Sequence, residues 1–65
     1  MRKTFWSVKY SVWGADRPRI AWFDNKADAD TFARRDYTDK PISHTYSNAA
    51  KIAEAQELVT QFNLN

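Results

Sequence analysis

The stretch Thr4–Asp24, TFWSVKYSVWGADRPRIAWFD, sets the architecture that the sequence predicts for this 65-residue chain. It holds all three tryptophans and the only glycine. Residues 4–13 alternate between two faces and are rich in β-branched and aromatic side chains, which is typical of a β-strand. Residues 14–17 interrupt the alternation and predict a short hairpin loop, and residues 19–23 predict the returning strand. We therefore expect an aromatic-rich β-hairpin.

The two faces of the first predicted strand differ in polarity. The face that carries Phe5, Lys9 and Trp13 also carries serines, and it is either an exposed binding face or a face covered by the second helix. In the returning strand, the sequence leaves open whether the even or the odd positions face the core, because a one-residue slip exchanges the two sets. The opposite face of the first strand has no polar interruption and is the predicted core face: Trp6, Val8, Tyr10 and Val12.

A helix is predicted directly after the hairpin. Asn25 is the expected N-cap, and Asp28, three residues later, makes a capping-box-like pair with it. Apolar residues then recur at helical spacing, so that the helix is expected to run to about residue 37 and to end before Pro41. The residues of this predicted stripe are Ala29, Phe32, Ala33 and Tyr37.

The remainder of the chain predicts one more strand and one more helix. Residues 42–46 alternate again, with Ile42, His44 and Tyr46 on the inward side. Ser47 or Asn48 caps a second helix over residues 49–62, whose apolar stripe is Ile52, Ala55, Val59 and Phe62. The expected fold is a single α+β domain over residues 1–65, in the order β-β-α-β-α, with a three-stranded antiparallel sheet and two helices.

Composition limits the class of protein. Hydrophobic residues make up 43% of the chain and aromatic residues 15%, which favours a folded domain held together by large side chains. The formal net charge is +2, with the basic residues concentrated in the hairpin and the acidic residues in the first helix. There is no cysteine, and no apolar run approaches the length of a membrane span. We expect a soluble protein of the cytoplasm that has no membrane partner.

The residues that could carry chemistry do not form a catalytic or metal-binding motif. The acidic residues of the first helix lack the spacing and the glycine of a calcium loop, so capping and solvation are their predicted roles. His44 has no cysteine or second histidine to share a metal with, and we expect it to be a structural, hydrogen-bonded histidine. A single glycine excludes a phosphate-binding glycine loop. The sequence therefore predicts no enzyme, no cofactor and no metal site.

The layout resembles that of small phage-encoded host-takeover proteins, in particular the T7-type inhibitors of bacterial RNA polymerase. The resemblance rests on Phe5 and Trp6 at the start of the first strand and on the helix that begins at Asp28 and reads DADTFARRDY. It covers about two thirds of the chain and departs from that family in the added second helix and in the basic charge of the hairpin. The resemblance implies a non-enzymatic protein that binds and inhibits a host protein in the cytoplasm of the host cell.

The functional hypothesis is a small accessory factor that binds and modulates a host protein through the exposed hairpin face and its edge. Tryptophan and arginine are the residue types that most often dominate binding energy at interfaces. A nucleic-acid-binding module that uses the same basic and aromatic residues is the alternative, and a homodimer is a further possibility. The predicted partner-binding residues are Phe5, Lys9, Trp13, Arg17 and Arg19.

Overall fold

Three antiparallel strands in one sheet and two helices form the fold in a computed structural model that describes residues 2–14 and 16–64. The predicted α+β class and element order are confirmed. The sheet order is β2-β1-β3, so the first strand lies in the centre. The elements are β1 (Lys3–Tyr10), β2 (Arg19–Phe23), α1 (Lys26–Phe32), β3 (Ile42–Tyr46) and α2 (Ala49–Leu64).

The hairpin is confirmed, with a shorter first strand than predicted. β1 ends at Tyr10 and not at Trp13, while β2 has the predicted bounds. The register pairs Trp6 with Phe23 and Tyr10 with Arg19, so residues 11–18 form the connection between the strands. Ala15, part of the predicted loop, lies outside the described residues.

Phe5 is fully buried, and its predicted exposure is wrong. The ring packs against Ala55 and Val59 of α2, so the face of β1 that carries Phe5 is covered by the second helix. The small side chain of Ala55 allows a close approach of the helix to the sheet. This face is therefore a main part of the core and not a binding surface. Three half-buried side chains complete the cluster around Phe5: Trp22, Tyr46 and Ile52.

The opposite face of β1 also carries buried residues. Val8 and, across the strand pair, Ala21 are fully buried, which confirms the predicted core role of Val8. The ring of Phe32 in α1 lies 5.2 Å from that of Tyr10 and 5.4 Å from that of Phe23, between ring centroids. Phe62 from the end of α2 joins this ring cluster. Side chains on both faces of the sheet are thus buried, which is why the pattern of β2 alone did not determine which of its residues face the core.

Helix α1 begins as predicted and ends earlier. The Asn25 side chain accepts a hydrogen bond from the backbone N–H of Asp28 at 2.8 Å, which confirms the cap. The helix ends at Phe32, and the Thr38 hydroxyl donates to the carbonyl oxygens of Ala33 (2.9 Å) and Arg35 (2.7 Å) in the turns that follow. Tyr37 therefore does not belong to the apolar stripe of α1.

Helix α2 and the lone histidine behave largely as the sequence predicts. Asn48 caps α2 by accepting a hydrogen bond from the N–H of Ala50 at 2.8 Å. His44 is half-buried, and its Nε2 atom lies 2.8 Å from the hydroxyl of Ser7, which confirms a structural, hydrogen-bonded histidine. Ile42, predicted to face inward, is 59% exposed at the edge of the sheet. No helix in the described ranges is long and apolar enough to cross a membrane.

Replacement of Phe5 by alanine is expected to lower the free energy of unfolding by about 3–5 kcal/mol, because it removes a fully buried ring and leaves a cavity beneath α2. Chemical denaturation followed by circular dichroism measures this change. Trp13→Ala is the matched control, since its ring is fully exposed and its removal should change stability by less than about 0.5 kcal/mol. Equal losses in the two variants would contradict the assignment of Phe5 to the core.

Candidate binding surface

The structure separates the five residues that the sequence predicts for partner binding. Phe5 lies in the core, and the other four are exposed: Lys9, Trp13, Arg17 and Arg19. Lys9 and Arg19 lie on paired strands, whereas Trp13 and Arg17 lie in the loop that joins them. Phe5 is therefore not accessible to a partner, and the binding role of the four exposed residues stays a prediction.

Trp13 is the most exposed large apolar side chain described. Its relative solvent accessibility is 102%, so its ring is as open to water as in an unfolded peptide. A tryptophan ring can bury about 150–250 Å² in a core or an interface. In a domain of this size such an area is a large share of what the fold can bury. Trp13 therefore has no packing role within the described chain.

Tyr37 lies beside Trp13, although the sequence placed it in a helix. The backbone N–H of Ser11 donates to the carbonyl oxygen of Tyr37 at 3.0 Å, and the N–H of Asp39 donates to that of Lys9 at 2.8 Å. These bonds flank a bridge between Tyr10 and Thr38 and hold the two loops together. Tyr37 is 81% exposed, so a second aromatic ring is left facing water at this end of the molecule.

The two loops form what we name the Trp13–Tyr37 surface, lined by Ser11, Val12, Trp13, Gly14 and Tyr37. These residues enclose an open depression of about 170 Å³. A cavity of about 150 Å³ takes one benzene ring, so the depression matches a single apolar side chain. A second, polar depression adjoins it and shares Ser11 and Tyr37. The geometry suits one apolar anchor with polar contacts at its side.

The backbone of Tyr37 is held in an unfavourable conformation. Its φ angle is +68°, in the left-handed region that costs a residue with a Cβ atom about 1–2 kcal/mol. Gly14, in the other loop, also has a positive φ of +83°, which glycine adopts without strain. The hydrogen bond from the N–H of Ser11 to the carbonyl oxygen of Tyr37 explains how the strained residue is held, but it does not require a large ring there. Asparagine or glycine would suit the backbone better, which marks the aromatic ring of Tyr37 as a candidate functional group.

The charges around this surface are mixed. The exposed acidic residues in the two loops or directly beside them are Asp16, Asp36 and Asp39. The exposed basic residues of the same segments are more numerous: Lys9, Arg17, Arg19, Arg34, Arg35 and Lys40. The surroundings of the surface are therefore net positive, with carboxylates interspersed.

The most deeply buried polar side chain described is Ser7, whose hydroxyl lies 2.8 Å from Nε2 of His44. Ser7 is only 8% exposed, and the ring of His44 that it contacts lies 5.1 Å from the Trp22 ring, between centroids. The interaction joins β1 to β3 and satisfies a polar group within the sheet. In residues 2–14 and 16–64, no group of three histidine, aspartate or glutamate side chains is placed to hold a metal ion.

A larger depression lies between β2 and α2, with a volume of about 470 Å³. Its walls include Trp22 and Phe62, which already take part in the ring contacts of the fold. The Trp13–Tyr37 surface differs because its two rings are free of such a role. We therefore place the candidate site there.

Comparison with models of known protein families, with curated proteins and with solved structures finds no match.

Trp13 is expected to dominate the quenching of tryptophan fluorescence by acrylamide, because Trp6 and Trp22 are half-buried. Trp13→Phe should remove the most accessible component and leave emission that acrylamide quenches weakly. Trp22→Phe is the control and should retain that component. A Stern–Volmer slope that is unchanged in Trp13→Phe would contradict the exposure of this ring.

Substitution of Tyr37 by asparagine is expected to leave the free energy of unfolding unchanged or to raise it by up to about 1 kcal/mol. Asparagine tolerates the left-handed conformation, and little packing is lost with an exposed ring. Urea denaturation gives the measurement, with the half-buried Tyr10 replaced by asparagine as a destabilised control. A loss above about 1 kcal/mol for Tyr37→Asn would show that the ring stabilises the fold.

Proposed function

We propose that this chain is a small, non-enzymatic protein-binding module that docks on a partner protein through the Trp13–Tyr37 surface. Lys9, Arg17 and Arg19 supply polar contacts at its rim. The observation that supports this function most directly is the complete exposure of Trp13. A domain this small uses most of its other aromatic rings in its own core, whereas the rings of Trp13 and Tyr37 take no part in that core.

The energetics of a docked Trp13 are sufficient for specific binding. Burial of about 200 Å² of apolar surface at about 25 cal/mol per Å² gives roughly 5 kcal/mol before the losses on association. Tryptophan, tyrosine and arginine are enriched among residues whose truncation costs most at interfaces. The Trp13–Tyr37 surface offers the first two as rings on neighbouring loops, with arginines close by.

A protein partner is favoured over a nucleic acid by one observation. Phe5, which a base-stacking sheet face would need, is buried beneath α2. Nucleic-acid binding is therefore the alternative outcome of the test and not part of the proposal.

The proposed partner is a host protein in the cytoplasm, which the module binds and inhibits in the manner of phage-encoded takeover factors. The support is the resemblance of the strand pair and the DADTFARRDY segment to T7-type inhibitors of bacterial RNA polymerase. Inhibition by simple occlusion requires no reaction chemistry from the chain. It needs only a partner surface that the bound module blocks.

Affinity capture from a nuclease-treated bacterial lysate tests the proposal. The immobilised wild-type chain is expected to retain a defined host protein, and both Trp13→Ala and Tyr37→Asn should lose it. Lys51→Ala, on the exposed side of α2, is the control that should retain it. With the captured protein purified, Trp13→Ala should weaken binding by about 30-fold or more, the effect of a residue worth 2 kcal/mol.

Recovery of the same protein by wild type and by Trp13→Ala would place the interface elsewhere on the molecule. Quenching of Trp13 by single-stranded DNA at low salt, lost as salt rises, would instead favour the nucleic-acid alternative.

A further inference from the structure

The outer edge of β3 is open. β1 lies on one side of β3, and within the described residues no strand lies on the other. Helix α2 starts beside β3 and then crosses towards β2, so it leads away from this edge. Backbone N–H and C=O groups along such an edge are ready to pair with another strand.

β3 lacks the usual devices that prevent pairing. Its sequence, ISHTY, contains no lysine, arginine, aspartate, glutamate or proline. Ile42 is 59% exposed, and Ser43 and Thr45 are also exposed. The other edge strand differs, because β2 begins with Arg19 directly after Pro18 and has residues of α2 beside it. Charge and proline are what natural proteins place on edges to block association.

We propose that β3 pairs in antiparallel orientation with β3 of a second copy of this chain, about a two-fold axis at His44. In this register Ile42 faces Tyr46 of the second copy, and Ser43 faces Thr45 of the second copy. Apolar thus meets apolar, and hydroxyl meets hydroxyl, on each side of the axis.

The charge pattern explains why the occupant is a second copy. Because β3 carries no lysine, arginine, aspartate or glutamate, self-pairing brings no like charges of these residues together. A two-fold axis also closes the assembly, so that pairing stops at a dimer. The result is a continuous sheet in the order β2-β1-β3-β3-β1-β2, built from two three-stranded sheets.

The dimer leaves both candidate binding surfaces free. The Trp13–Tyr37 surface lies at the end of the sheet where Tyr10 meets Thr38, beyond Ile42. Because the two β3 strands run in opposite directions, the two surfaces lie at opposite ends of the extended sheet. If the proposed function holds, the dimer is bivalent and gains avidity for a repeated or clustered partner.

The dimer is tested with the purified full chain by sedimentation velocity from about 10 µM to about 1 mM, since one strand pair is a small interface and associates weakly. Wild type is expected to shift from monomer to dimer across this range. Ile42→Lys puts a charge on the edge and should leave only monomer. Ile20→Lys, at a similarly exposed isoleucine on the other edge strand (53% against 59%), is the matched control and should dimerise as wild type does.

The register is tested by cross-linking, which a cysteine-free chain makes simple. Ser43→Cys mixed with Thr45→Cys should give a disulfide-linked dimer, because directly opposed Cβ atoms lie about 4.5–5.5 Å apart, close to disulfide geometry. Each variant alone should cross-link several-fold less. Circular dichroism confirms that every variant is folded.

Three results would overturn the proposal: a wild-type monomer at every concentration, equal loss of dimer in Ile42→Lys and Ile20→Lys, or equal cross-linking by a single cysteine variant alone. None of these results bears on partner capture by the Trp13–Tyr37 surface, so the two proposals fail independently.

Discussion

The burial of the Phe5 ring beneath α2 is the contact on which the rest of the molecule depends. Phe5 and Val8 are the largest fully buried side chains among the described residues, and they lie three positions apart on the central strand, facing opposite sides. A chain of this size without disulfides needs buried side chains on both faces of its sheet in order to be stable. Because Ala55 and Val59 present small and branched surfaces to Phe5, α2 can lie close to the sheet and reach β2. Its last turns then bring Phe62 into the second ring cluster.

Sequence patterns predicted those parts of the fold whose signal is local. The bounds of β2 and β3, the Asn25 cap and the stripe of α2 all follow from periodicity or capping within a few residues. The burial of Phe5 is different, because alternation defines two faces of a strand but not which of them a distant helix covers. The end of α1 was missed for a related reason: Tyr37 continues the helical spacing, while Thr38 forms a bridge with the distant Tyr10 of the sheet, which helical periodicity does not reveal.

The candidate site could be predicted only in part from the sequence, because local patterns indicate Trp13 but not its neighbour Tyr37. Trp13 lies next to the only glycine, so its place near a loop could be predicted, and its exposure follows from the early end of β1. Tyr37 could not be paired with it, because the backbone bonds that join the two loops connect segments 26 residues apart along the chain. The one local signal was the run Thr38–Pro41, which marks a loop directly after Tyr37.

Some aromatic rings of this chain form the core and others lie on the surface, so the surface rings can be replaced more easily than the core rings. The rings of Phe5, Phe23 and Phe32 hold the sheet to its helices, whereas Trp13 and Tyr37 contribute little to that packing. The loops that carry the two exposed rings are positioned by backbone hydrogen bonds, which do not depend on side-chain identity. Residues of the surface can therefore change without loss of the scaffold, and a new partner can be accommodated at small cost in stability. The constraint is Tyr37, where the left-handed backbone restricts which side chains can replace the ring.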